Sequence, residues 1–299
     1  MRDDFGMLVT TYLPGRGESA EQFTADRCRE IVLKAIGESI DVEIIEAAPW
    51  QPYERVADQF GCGRVFLAGD SAHAMPPFNA GGANCALASA HNLAWKLAAV
   101  LTGSAGPDLL DTYQAERRPV GRFSARQSLT GPALRLLRRD GHGPELPPDE
   151  EAPMFALLIG HQYHSTAVVS DDPDPVDPDP VSLVTELRAQ PGTRLPHMWL
   201  QHGEKRISTL DLLGPGFTVL TGRDGGAWRA AVSHASEVLG IPLAVHRIVD
   251  EQWAPTTGLA ADGALLIRPD DFVGWRSESL PADPEIELQR ALATILARI

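Results

Sequence analysis

Gly69-Asp70-Ser71-Ala72-His73-Ala74-Met75-Pro76-Pro77-Phe78-Asn79-Ala80-Gly81-Gly82-Ala83-Asn84 is the stretch on which the reading of this chain turns. Before it runs Arg64-Val65-Phe66-Leu67-Ala68, a short, largely apolar run bounded by glycine, which predicts a buried strand. After it, Leu87, Ala90, Ala94, Leu97 and Leu101 recur at helical spacing. That spacing predicts a long helix over about 84–101, with these residues as its apolar stripe and Gly103 just past its end. The segment therefore reads as strand, carboxylate, Pro/Gly-rich loop and helix N-terminus. Unpaired N–H groups and the positive helix end favour an anionic or electron-rich group there, and the glycine pair lets it approach closely. Taken alone, the pattern admits two readings: a ligand oxygen held at a helix end, or a loop that Asp70 caps and the glycines turn.

Outward from this segment, residues 7–13 and 40–47 read as strands, and Thr24 caps a helix to about Ile36 with Ile31, Val32, Ala35 and Ile36 on one face. A second helix begins near Pro107-Asp108, passes Tyr113 and Arg117, and is kinked or ended by Pro119. Residues 171–180 hold five Asp and four Pro, which predicts a stiff, solvated linker. Beyond it come a strand at 217–220, a helix over 227–239 stopped by Gly240, and a strand at 243–249. A hairpin with arms 264–267 and 272–275 turns at Pro269-Asp270-Asp271, and a last helix covers 285–297. The order βαβ then ββα predicts a small α/β domain.

The chain has 299 residues, enough for two domains and a sizeable core. Its 26 Lys+Arg against 40 Asp+Glu leave a formal net charge of −14, which argues against nucleic acid and anionic membrane as partners. Cys28, Cys62 and Cys85 match no zinc or disulfide framework, so a reducing, cytoplasmic setting is expected. No apolar run reaches the ~18–20 residues of a membrane span, and Met1-Arg2-Asp3-Asp4 does not begin a signal peptide.

Other chemistry-bearing residues were weighed against blander roles. Asp70, Ser71 and His73 are too close in an extended loop to converge as a hydrolase triad, and there is no Gly-x-Ser-x-Gly elbow. His161 and His164 lack a third ligand and read as strand or loop residues beside Tyr163. His91 reads as a packing or capping residue, and Trp50 as either core or a wall of a substrate cavity. The Asp-Pro run lacks the glycine turn and final Glu of a calcium loop.

The full segment resembles the second flavin-binding motif of the class A flavoprotein monooxygenases, the family of para-hydroxybenzoate hydroxylase and phenol hydroxylase. That motif is Gly-Asp-(Ala/Ser)-Ala-His, three residues, Pro, then Gly-x-Gly-x-Asn at a helix start. Gly69 to His73, Pro77, Gly82 and Asn84 match it, while Ala80 stands at its first post-proline glycine and Gly81 at the variable position. The flanking Ala90-His91-Asn92-Leu93-Ala94-Trp95-Lys96-Leu97 and Leu110-Asp111-Thr112-Tyr113-Gln114-Ala115-Glu116-Arg117-Arg118-Pro119 match as well. The resemblance is strongest to aromatic and polyketide hydroxylases of actinobacteria.

What the resemblance implies is an FAD site. Asp70 would meet the ribityl hydroxyls near the pyrophosphate, the backbone of Gly81, Gly82, Ala83 and Asn84 would face the pyrimidine edge, and Pro77 would lie against the ring. NAD(P)H would be the co-substrate and a small aromatic or polyketide molecule the substrate; no catalytic side chain and no metal are implied. Family members also begin with a βαβ unit carrying Gly-x-Gly-x-x-Gly, and no such motif follows a predicted strand here. The implied fold is thus α/β (α+β): a truncated FAD/substrate domain over 1–170, the Asp/Pro-rich linker at 171–180, and a thioredoxin-like domain over 181–299 without Cys-x-x-Cys. The cut domain should expose apolar surface, so a separate FAD-binding half or a homodimer is the expected partner. The alternative is a cofactor-free polyketide-binding protein or a cyclase or isomerase that keeps the fold without redox chemistry.

Overall fold

The computed structural model describes residues 5–77, 81–129, 151–170 and 177–298. Two compact units divide the chain: residues 1–52 with 135–141, and residues 53–134 with 142–299.

Among the described residues of the first unit the regular elements are two short 3-10 turns and helix α1 (Ala25–Ile36). Thr24 caps α1 by accepting from the Arg27 N–H at 3.3 Å, and the helix stops at Gly37, both as its sequence predicts. No residue of α1 is buried, so the face of Ile31, Val32, Ala35 and Ile36 is at most half covered. Residues 7–13 and 40–47 are not strands. Their composition suits a sheet, but a strand exists only where a neighbouring strand takes up its N–H and C=O groups, and among the described residues no strand pairs with either segment. Met7, Val9 and Ile45 stand exposed, and Trp50, at 55% exposure, is not part of the core.

The second unit opens with two short antiparallel pairings, β1 (Arg55–Val56) with β4 (His73–Ala74) and β2 (Gly61–Cys62) with β3 (Val65–Phe66). The strand expected over 64–69 is only β3, and it is not buried: Val65 is 67% exposed. Two long helices follow, α2 (Gly81–Leu101) and α3 (Asp111–Ser128), packed against each other. Pro119 lies inside α3 without ending it. Helix α4 (Met154–Leu158) and the short pair β5 (His161–Gln162) and β6 (Ser182–Leu183) lead to the hairpin β7 (Trp199–His202) and β8 (Lys205–Ser208).

The rest is the βαβ then ββα arrangement expected. It comprises β9 (Phe217–Thr221), α5 (Trp228–Leu239), β10 (Leu243–Arg247), the short α6 (Trp253–Thr257), β11 (Ala264–Ile267), β12 (Val273–Ser277) and α7 (Pro284–Ile295). The sheet order is β10-β9-β11-β12, parallel between β10 and β9 and antiparallel elsewhere, which is thioredoxin-like connectivity. Strands β9 and β11 are buried along their whole length, because α5 and α7 cover one face while Leu195, Leu200 and Trp253 cover the other. Trp95 of α2 meets Phe217 of β9 edge-on at 5.7 Å between ring centres, so the helical pair and the sheet share one core.

The burial of α2 departs from its apolar periodicity. Leu87 and Leu101 are 71% and 78% exposed, Ala90 and Ala94 are exposed, and Leu97 is half-buried. The buried face carries Cys85, Ser89, Asn92 and Lys96 instead. These polar residues face polar partners on α3 and the β11–β12 turn, and hydrogen bonds offset the cost of taking them out of water. Among the described residues no helix is long and apolar enough to cross a membrane.

Candidate functional site

Asp70 lies in a single 3-10 turn, Gly69–Ser71, at the surface. Gly69 adopts φ of +59°, a left-handed conformation that a side chain would strain, and it sits over α2: a Cβ there would lie 3.8 Å from Ala86 Cβ. Ser71 Oγ closes the turn, donating to Ala68 O at 2.7 Å and accepting from Ala68 N–H at 3.2 Å. The approach to the turn is anchored by Tyr113, whose hydroxyl donates to Leu67 O at 2.7 Å. Burial pushes that phenol up to about 12.

The first turn of α2 begins one helical turn above Ala86. Gly81 is buried beneath Met75 and Leu157, Gly82 is half-buried, and Ala83, Asn84 and Pro77 are exposed. A methyl group on Gly82 would come within 3.4 Å of Met75 Cγ, so loop and helix close tightly here. Structure thus brings the Asp70 turn and the first turns of α2 together. Phe78, Asn79 and Ala80, including the departure at Ala80, lie outside the described residues. An exposed carboxylate beside the positive end of a helix that starts on two glycines fits a ligand rich in hydroxyl and carbonyl oxygens, as a flavin is.

His73 takes no part in a triad with Asp70 and Ser71. It is turned inward, 1% exposed, with Nε2 at 3.1 Å from Ser89 Oγ. Gly121 makes room for it, since a Cβ there would lie 3.3 Å from His73 Cδ2. His91 is exposed rather than packed. His161 is on β5, and no group of His, Cys, Asp or Glu suited to a metal occurs among the described residues. A separate cavity of about 550 Å³ opens beside the end of α3, lined by Glu54, Arg55, Val56, Arg122, Arg126 and Leu129; no motif residue lines it.

Two buried polar clusters went unforeseen. In one, Glu116 accepts from Asn92 (2.6 Å), Lys96 (2.7 Å), Ser165 (2.6 Å) and both terminal nitrogens of Arg268. Burial pushes the Glu116 carboxyl up, but Arg268 and Lys96 outweigh it and hold it well below the usual carboxylate range. Burial brings the Lys96 ammonium down to about 8 despite Glu116. In the other, the fully buried Arg117 donates to Ser89 Oγ (3.1 Å), Tyr163 Oη (2.8 Å) and Cys85 O (3.2 Å). The signal was present in the sequence: Cys85, Ser89, Asn92 and Lys96 recur at intervals of four, three and four residues, one face of a helix.

Residues 3–128 match the family "FAD binding domain", and residues 188–298 match "Aromatic-ring hydroxylase, C-terminal". Tetracenomycin A2 monooxygenase-dioxygenase of Streptomyces glaucescens is 44% identical over 99% of this chain and 53% of its own length. 4-Methyl-5-nitrocatechol 5-monooxygenase of a Burkholderia species is 42% identical over 95% of this chain and 53% of its own length. A crystal structure of aklavinone-11 hydroxylase with FAD and aklavinone superposes with a TM-score of 0.85 at 35% identity, over 96% of this chain and 54% of that one. The chain therefore spans about half the length of the relatives it matches. The chain thus joins a segment of the FAD binding domain family to a segment of the aromatic-ring hydroxylase C-terminal family, and nearly its whole length is similar to aromatic and polyketide hydroxylases.

Proposed function

We propose that this chain is the flavin-loop and C-terminal part of an FAD-dependent monooxygenase that hydroxylates a small aromatic or polyketide substrate with NAD(P)H as co-substrate. The observation that carries the reading is the packing of the Asp70 turn on the first turns of α2, which places an exposed carboxylate beside a glycine-rich helix start. The Asp70 carboxylate accepts from the ribityl hydroxyls of FAD, and the N–H groups of Gly81, Gly82, Ala83 and Asn84 face the pyrimidine edge. Pro77 lies against the ring. Bound FAD supplies the oxygen-activating chemistry, while the chain holds and orients it. The positive end of α2 stabilises negative charge on the ligand there.

In the same reading the domains are 1–170, a linker at 171–180 and 181–299. The exposed Leu87 and Leu101 of α2 suit contact with a dinucleotide-binding part carrying the Gly-x-Gly-x-x-Gly unit, or with a second copy of this chain.

Titration of the purified chain with FAD, followed by flavin fluorescence and thermal midpoint, tests the proposal. Binding is expected, weakened at least tenfold by Asp70→Ala. Should FAD have no effect, the titration is repeated with the dinucleotide-binding half of a relative added. Failure in both arms overturns the reading, and binding of a polycyclic aromatic without FAD then favours the cofactor-free alternative.

A further inference from the structure

Arg117 is fully buried, and among the described residues no carboxylate pairs with it. A guanidinium cannot shed its proton, so a counter-charge must come from its other neighbours. The hydroxyl of Tyr163 is pushed far above its ordinary range by burial, and that of Tyr113 to about 12, so both stay neutral. Burial, with Arg117 itself, drives His161 down to about 3, so its Nε2, 3.5 Å from Arg117, is a neutral acceptor. Ser89 and Ser124 carry no charge. What remains is Cys85, whose sulfur lies 3.5 Å from an Arg117 nitrogen.

A second side chain points at the same sulfur. His73 is 99% buried, and its Nε2 lies 3.8 Å from Cys85 Sγ as well as 3.1 Å from Ser89. Its other nitrogen, Nδ1, has no hydrogen-bond partner, so the ring is oriented from the Cys85 and Ser89 side alone. Cys85 thus lies among a buried cation, an imidazole and a hydroxyl, in α2 directly after the exposed Ala83 and Asn84. This environment favours the thiolate over the thiol.

We propose that Cys85 is the built-in counter-anion of Arg117 and, through that pairing, a peroxide-reactive modification site. The thiolate sulfur attacks one oxygen of hydrogen peroxide, the S–O bond forms as the O–O bond breaks, and two electrons pass from sulfur to peroxide. The products are a sulfenic acid at Cys85 and hydroxide, which takes a proton from solvent and leaves as water. The neutral sulfenic acid no longer balances Arg117, so oxidation lowers the thermal midpoint. Burial pushes the Cys85 thiol up, yet the His73 contact and the charge of Arg117 outweigh it and bring it down to about 7. The inference does not rest on flavin binding.

The test uses the whole chain, hydrogen peroxide and dimedone, with labelled peptides read by mass spectrometry. At pH 7, Cys85 is expected to be labelled in the folded chain, because about half of a thiol titrating near 7 is ionised there. The rate should rise with pH and level off above about 7. Ser89→Asp offers Arg117 a carboxylate and should slow the labelling and move that inflection upward. If this variant does not fold, the pH profile of the unaltered chain decides. An inflection near 8.5 at Cys85, or Cys85 labelling only in denaturant, overturns the proposal.

Discussion

Arg268 holds Glu116 through two parallel hydrogen bonds, NH1 to Oε1 at 2.7 Å and NH2 to Oε2 at 2.8 Å, across 152 positions of sequence. Both side chains are fully buried. The same guanidinium reaches Asp270, Nε to Oδ1 at 3.0 Å and NH2 to Oδ2 at 2.6 Å. With Lys96, two cations face two anions, so the cluster is neutral while every member is out of water. It fastens α2 and α3, in the FAD-domain segment, to the β11–β12 turn of the C-terminal segment. A planar fork on a carboxylate fixes direction as well as distance, which a hydrophobic contact does not.

Breaking that fork should be costly. Arg268→Met leaves Glu116 and Asp270 buried with Lys96 alone, and a loss of about 3–5 kcal/mol is expected in urea unfolding. Arg268→Lys restores the charge without the bidentate geometry and should recover less than half of it. A loss below about 1 kcal/mol for Arg268→Met would show that the cluster is dispensable.

His161 makes stability acid-sensitive. Its imidazole titrates near 6.5 when unfolded and near 3 when folded, because burial and Arg117 disfavour the cation. Between those values the unfolded chain binds the extra proton. Its contribution is therefore fully present above pH 6.5 and is lost as pH falls towards 3. His161→Phe keeps a ring beside Tyr163 and Phe272 and should flatten the pH dependence over that window. An unchanged slope in thermal melts from pH 7 to pH 4 would contradict this.

Tyr113→Phe removes the hydroxyl that holds Leu67 O while leaving the ring against Phe60. About 1 kcal/mol of stability should be lost, with an unchanged denaturant slope. Because Leu67 leads into the Asp70 turn, the variant should also bind FAD more weakly in the titration described above.

The exposed leucines of α2 should govern association. Leu87→Glu with Leu101→Glu places charge on side chains 71% and 78% exposed. The thermal midpoint of the monomer should hardly move, while self-association seen by light scattering should fall. Association that persists unchanged would move the sticky surface elsewhere.

Sequence by itself determined what depends on local periodicity and punctuation. The Thr24 cap, the long helix after Gly81, and the helix and strand order from Phe217 to Ile295 were all readable, because caps, stops and apolar spacing act within a few residues. The Gly69–Asn84 motif was readable for the same reason, and it pointed to the face where Asp70 and the start of α2 meet. Tertiary structure alone decided which side of α2 is inside. Apolar spacing favoured Leu87, Ala94 and Leu101, yet Glu116, Arg117 and Arg268 supply partners that draw Cys85, Ser89, Asn92 and Lys96 into the interior. Residues 7–13 and 40–47 have the composition of strands and lack neighbours to pair with among the described residues. A strand, like a buried charge, is stable only through a partner, and partners distant in sequence are chosen by the fold.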